Sequence, residues 1–154
     1  MGEGTTKRFE DIKAWQEARA LVGIVYEAVK ANKDFGSDFK FREQMQSAAV
    51  SIMSNVAEGF SRRSTKEFTQ FLFVAQGSVA EVQSQFYVAL DKGYISQEKF
   101  NELYSKSEEV ARLVSGFIKY LLSKQRTLHK PQKLHELQEL NKLGAGEMRS
   151  DVKA

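Results

Sequence analysis

Apolar residues along this chain recur at alternating steps of three and four, the spacing of one face of an α-helix, and no segment alternates as a strand does. The densest run is Ser47 to Val82, SAAVSIMSNVAEGFSRRSTKEFTQFLFVAQGSVAEV, which reads as two apolar helices joined by a short basic turn. After the turn, Phe68, Leu72, Ala75, Val79, Val82, Phe86 and Ala89 keep to one face and make a bundle seam. A second stripe, Phe73, Gly77, Ala80, Ser84 and Tyr87, lies on another face and sets small residues between aromatic ends. A helix in a small bundle needs one buried face. The second stripe therefore asks either for another subunit or for a wider core within one chain.

The helix before the turn carries Phe41, Met45, Ala48, Ile52, Asn55 and Gly59 on one stripe, with Ala49, Met53, Val56 and Phe60 on the neighbouring face. Asn55 falls on the seam, where a lone amide must find a hydrogen-bond partner and can fix register or subunit number. Glu58 and Glu81 are expected as buried or half-buried carboxylates satisfied by backbone or Arg, with a paired acid and base as the weaker alternative. At the turn, Gly59 is expected to end the helix in the left-handed conformation and Phe60 to fold back on it. Ser64 followed by Glu67 is a capping box for the next helix.

Elsewhere, Phe9 to about Asn32 predicts a first helix with Trp15, Ala18, Val22, Val25 and Val29 on its apolar side, and residues 32–38 a link. Gly93 stops the third helix and Ser96 caps the fourth. Phe100, Leu103, Ser107, Val110, Val114, Phe117 and Leu121 form the fourth seam. The fold expected is all-α, an antiparallel up-down-up-down four-helix bundle over residues 9–123, after a flexible start over 1–8. Residues 124–154 read as a peripheral tail with a short helix over 131–143 around the only proline, Pro131, and disorder beyond Gly144.

The 154 residues suit one domain, and a net charge of +3 permits nucleic acid as a partner without demanding it. The absence of cysteine removes disulfides, thiolate nucleophiles and thiolate zinc. With no membrane-length apolar run and no leader, the expected location is cytoplasmic. Met1, Gly2 and Thr6 match a myristoylation pattern too degenerate to outweigh a flexible start.

No catalytic, cofactor or metal site is expected. Di-iron bundles need Glu-x-x-His on inward faces, and the only histidines, His129 and His135, lie in the tail. No histidine is available in the bundle for a nucleophile triad, and no glycine pattern follows a strand. The remaining candidate is the turn, where Arg62, Arg63 and Lys66 stand at a helix N-terminus suited to phosphate. The alternative is a solvated turn whose arginines pair with Glu67 or nearby acids. If the turn does not bind, attention moves to Lys119, Lys124 and Arg126.

The stretch SIMSNVAEGFSRRSTKEFTQFLFVAQGSVAEV resembles the signature of the bacterial four-helix-bundle family first associated with intervening sequences inside 23S ribosomal RNA genes. Arg8 to Ala28 (RFEDIKAWQEARALVGIVYEA) and Asp91 to Ile95 (DKGYI) are also similar to that family. The acid–proline start usual before the second helix is missing in NKDFGSDFKF. The resemblance implies a closed homopentamer without established enzymatic activity. It also implies relatives among accessory proteins of diversity-generating retroelements, which bind nucleic acid and associate with a reverse transcriptase. The expectation is thus a non-catalytic homo-oligomeric binding module for RNA or DNA, with a protein-interaction scaffold as the alternative.

Overall fold

The structure, a computed structural model, describes the backbone of residues 7–147, and the side chains of that span apart from 129–137 and 140–147. Among the described residues all regular structure is helical. A 3-10 turn (Phe9–Asp11) precedes α1 (Lys13–Ala31), α2 (Lys33–Ser37), α3 (Phe39–Phe60), α4 (Thr65–Asp91) and α5 (Gln97–Glu147). The chain forms two compact units, Met1–Lys119 and Tyr120–Ala154. Met1, Gly2 and Thr6 of the myristoylation pattern, and the two histidine side chains, lie outside the described residues.

In the first unit α1, α3, α4 and residues 97–119 of α5 pack as an antiparallel four-helix bundle. Side chains across each pair set the register. Ser51 Oγ lies 2.9 Å from Ser78 Oγ between α3 and α4. Gln76 donates to Ser115 Oγ at 2.6 Å and Gln83 to Ser107 Oγ at 3.0 Å between α4 and α5. Rising numbers on one helix meet falling numbers on its neighbour, as the short links require. The α4 seam is buried from Leu72 to Ala89, with Phe68 half-buried at its head. Full burial of a side chain such as Phe86 contributes roughly 1.5–3 kcal/mol.

Where the fold departs from the expected pattern, local chemistry gives the reason. On α1 the core face is Ala14, Ala18, Leu21, Val25, Ala28 and Val29, while Trp15 and Val22 are half-buried. Trp15 instead packs edge-on against Phe9 at 5.2 Å. The link at 32–38 contains the short helix α2, whose Phe35 is fully buried and stacks on Tyr94 at 5.0 Å. Asn32 accepts the Phe35 N–H at 2.9 Å and Asp38 accepts the Phe41 N–H at 3.3 Å, so both helices are capped without a proline. Asp38 also accepts from the Tyr94 hydroxyl at 2.8 Å, which raises the phenol's pKa above its ordinary value.

Gly93 ends α4 as expected. Its φ of 72° lets the Tyr94 N–H reach Ala89 O at 2.9 Å and its own N–H reach Leu90 O at 3.0 Å. The Lys99 N–H donates to Ser96 Oγ at 3.1 Å, the predicted cap of α5. Near residue 118 the fourth seam shifts by one position: Ile118 is buried and Phe117 half-buried, its ring edge-on to Phe68 at 5.0 Å.

The second unit holds the rest of α5. In place of a break near residue 123 and a separate helix over 131–143, the helix runs unbroken to Glu147, and the rest of the segment expected as disordered, residues 148–154, lies outside the described residues. Proline removes one backbone donor, here the bond to the carbonyl of residue 127, and the Leu, Lys and Gln around it are good helix formers.

Candidate subunit and nucleic-acid interface

The second stripe of α4 is not a wider core. Phe73, Gly77, Ala80, Ser84 and Tyr87 do not join the buried face, and the two aromatic ends are exposed, Phe73 at 47% and Tyr87 at 51%. Val74 and Val88, each one residue beyond an aromatic of the stripe, are also exposed and widen it. Periodicity passes over both, because each falls off the strict three-four step. Tyr87 is steadied from its own chain by Phe100 at 4.8 Å and Tyr104 at 5.8 Å. The result is a run of four exposed apolar side chains along one helix, supported by α5 along one side.

Beside the strip a groove of about 520 Å³ is lined by Lys40, Glu43, Gln44, Ser47, Ser51 and Glu81. Asn55 lies one turn along α3 and is half-buried. Its amide donates to Ser51 O at 2.7 Å and to Ser51 Oγ at 3.0 Å, and Ser51 in turn meets Ser78. The amide is therefore satisfied within its own helix and touches α4 through a serine. Among the described residues one buried side-chain acceptor, Gln85 Oε1 on α4, has no hydrogen-bond partner.

Glu58 and Glu81, expected as buried or half-buried, are both on the surface, and Glu58 has the expected arginine partner, Arg62, at 3.0 Å. Pairing of Ser51 with Ser78 and packing of Gly59 on Phe68 and Phe71 set the register of α3 against α4. That register leaves the two glutamates about ten residues apart, or ~15 Å along the bundle, too far to act as one acid–base pair.

Gly59 has a different role from the one its place near a helix end suggests. It is helical and buried, and a Cβ on it would stand 2.7 Å from Phe68 Cδ2 and 2.8 Å from Phe71 Cβ. Glycine is needed here for close approach of α3 to α4 rather than for positive φ. The helix ends one residue later at Phe60, whose ring meets Phe68 edge-on at 6.1 Å. Ser61 then turns the chain, its hydroxyl donating to Glu58 O at 2.6 Å. Ser64 accepts the Glu67 N–H at 3.1 Å and donates to Glu67 Oε2 at 2.9 Å, the capping box expected.

The three cations of the turn are not equivalent. Arg62 is held by Glu58 and lies over the Phe71 ring at 4.8 Å. Arg63 and Lys66 are exposed, with no ion pair among the described residues. Two charges, not three, thus face solvent unengaged at the first turn of α4, on a loop fixed by Phe60, Phe68 and Phe71. Of the fallback residues, Lys119 and Arg126 lie on the surface, and Lys124 lies over the Tyr120 ring at 4.7 Å.

A polar cluster that periodicity does not reveal ties α1 to α5. Glu17 takes Lys13 at 2.7 Å and also pairs with Lys106. Hydrogen bonds from Lys106 and then Lys13 hold the Glu17 carboxyl down at about 2, and Glu17 raises the Lys106 ammonium. The cluster's carboxylate and ammonium are saturated with partners, so it serves the bundle.

Residues 10–116 match the model of the 23S rRNA-intervening sequence protein family. The chain belongs to this family. A crystal structure from Bacteroides thetaiotaomicron, described as a protein of unknown function from the S23 ribosomal protein family, superposes with a TM-score of 0.64 at 19% identity. The alignment covers 69% of this chain and 98% of that one, and at this identity it speaks for the shared fold. No curated protein matches. Phe73 to Tyr87 and the α3–α4 turn lie inside the family match; residues 117–154 lie outside it.

Proposed function

We propose that the protein is a cytoplasmic, non-catalytic homo-oligomer that binds nucleic acid, its subunits joined through the outer face of α4. The observation that carries the reading is the exposed strip from Phe73 to Val88, four large apolar side chains on a helix whose other face is already buried. A surface of that kind is retained where another surface covers it. The turn supplies the polar half of the argument. Arg63 and Lys66 stand exposed at the start of the same helix, where the peptide dipole favours anions. Repetition in an assembly of several copies, five on the family resemblance, would multiply this modest charge. The family's name associates its members with 23S rRNA, so RNA is the first ligand to test.

The test is a set of binding isotherms with single-stranded RNA at several salt concentrations, for wild type and for Arg63→Ala/Lys66→Ala. Each phosphate left without its cation should lower the slope of log affinity against log salt by ~0.7. Arg62 is left in place because Glu58 and Phe71 use it. Equal slopes would remove the turn from the binding surface. No binding by wild type at low salt would replace this reading with that of a protein-interaction scaffold.

A further inference from the structure

A second groove lies where α1, α2 and α3 meet, and its chemistry differs from that of the α3–α4 groove. Its volume of about 420 Å³ is in the range of clefts that hold a small molecule. Tyr26 and Lys30 line it from α1, Lys33 from α2, and Arg42 and Gln46 from α3, with the buried Val29 among them. Three cations from three elements thus meet one acid, Glu27, whereas the α3–α4 groove sets Lys40 against Glu43 and Glu81. Glu27 also acts toward α5: after Glu102, it helps to raise the Lys99 ammonium above its ordinary pKa.

Arg42 is fixed from two sides. Its Nη1 donates to Gly36 O at 2.5 Å, and its guanidinium lies over the Phe39 ring at 4.4 Å. A guanidinium has five N–H donors, so the edge turned away from that carbonyl can still grip an oxyanion. Lys30 and Lys33 are exposed on either side of Asn32, the cap of α2. Tyr26 stands one turn before Lys30 and is 48% exposed. Tyr87 is flanked by Phe100 and Tyr104, but Tyr26 has no ring contact among the described residues. Its face is left for a flat partner beside the cations. Aromatic and cations side by side hold a nucleotide without regard to sequence, the base stacked and the phosphate neutralised.

We propose that the α1–α2–α3 groove binds one unpaired nucleotide, its base against Tyr26 and its phosphate among Lys30, Lys33 and Arg42. The nucleotide belongs either to a single strand, in which case the proposal rests on the nucleic-acid reading above, or to the free pool. A duplex is excluded from the groove, because stacking on a side chain needs a base released from its neighbours.

The test titrates the full-length chain with two probes, a mixed-sequence single-stranded RNA of about 12 nucleotides and adenosine monophosphate. Tyr26→Ala should weaken binding by roughly 5- to 150-fold, and Tyr26→Phe should leave it near wild type. Lys30→Gln/Lys33→Gln should weaken the same probe, and with the strand should lower the slope of log affinity against log salt by ~1.4. Loss with the strand places the nucleotide in a polymer, loss confined to the monophosphate places it in the free pool, and either supports the site. Should Tyr26→Ala lose helix by circular dichroism, the lysine variant carries the test. Wild-type affinity for both probes in folded Tyr26→Ala, or in the lysine variant, overturns the groove. If Arg63→Ala/Lys66→Ala still lowers the slope, the proposed function stands without it. Binding of the monophosphate alone overturns the proposed function and keeps the groove, and binding of neither probe by wild type overturns both.

Discussion

Lys13 and Glu17 on α1, and Glu58 of α3 with Arg62 in the turn after it, stand four residues apart and form ion pairs, whereas four residues on from Arg126 stands Lys130. The first unit balances sixteen Lys and Arg with sixteen Asp and Glu and leaves apolar surface exposed on α4. The second carries the chain's net charge on a single helix. In the bundle, surface chemistry serves shape: pairs such as Glu17 with Lys106 fasten one helix to another. Residues 120–135 contain no Asp or Glu.

The largest expected effect tests the apolar side of this contrast. Ala80→Arg sets a bulky charge in the middle of the exposed strip, and light scattering should then report a smaller species while circular dichroism stays helical. Wild-type mass would take the strip out of the interface. Loss of helix together with mass would make assembly obligate for folding.

Gly59→Ala comes next and probes how closely the paired unit is packed. The added methyl meets Phe68 and Phe71 at under 3 Å, an overpacking cost of about 1–3 kcal/mol against a helix-propensity gain of about 1 kcal/mol. A net loss of up to about 2 kcal/mol should appear in urea unfolding. A stabilised variant would show that α3 and α4 can move apart freely.

A third effect follows from Glu17. Its folded pKa, about 2, lies below the ordinary 4.5, so the unfolded chain binds the proton first as pH falls. The stabilisation is complete above about 4.5 and is lost as pH drops toward about 2. Melting temperature should decline through that window in wild type, and less steeply in Glu17→Gln. An identical acid limb in the two proteins would place the acid sensitivity elsewhere.

The smallest effect belongs to the second unit. Leu128 is 72% exposed, so Leu128→Ala should change unfolding free energy by no more than about 0.5 kcal/mol. A cost near ~2 kcal/mol would mean that Leu128 is buried in the assembled protein.

The bundle was legible where one physical cause leaves one pattern. The seam from Leu72 to Ala89, the Ser64 and Ser96 caps and the Gly93 stop each rest on spacing or on a residue type with a single use. Ambiguity entered where one residue type has two uses. Gly59 near a helix end looks the same in sequence whether it supplies positive φ or close approach, and here tertiary packing chose the second. Phe35 beside Gly36 and Ser37 looked like a link because five residues are too few to show a helical period. The polar stretch after residue 123 suggested a separate tail helix, yet the good helix formers there keep α5 continuous through Pro131. For the site, the exposed strip was visible as a second stripe, though Val74 and Val88 were not. The Glu58–Arg62 pair follows from four-residue spacing, but the seat of Arg62 over Phe71 depends on that ring's orientation, which no spacing rule contains.

The charge partition also bears on colloidal behaviour. At neutral pH a chain cut back to residue 119 would have no net charge while keeping Phe73, Val74, Tyr87 and Val88 exposed, the two conditions under which proteins leave solution most readily. Each full chain instead brings +3, and every copy added to an assembly adds the same amount. In the proposed assembly, mutual repulsion between particles would therefore grow with the number of copies. The segment that the family pattern omits would thus hold such particles apart, and its neutralisation by a polyanion would bring them together.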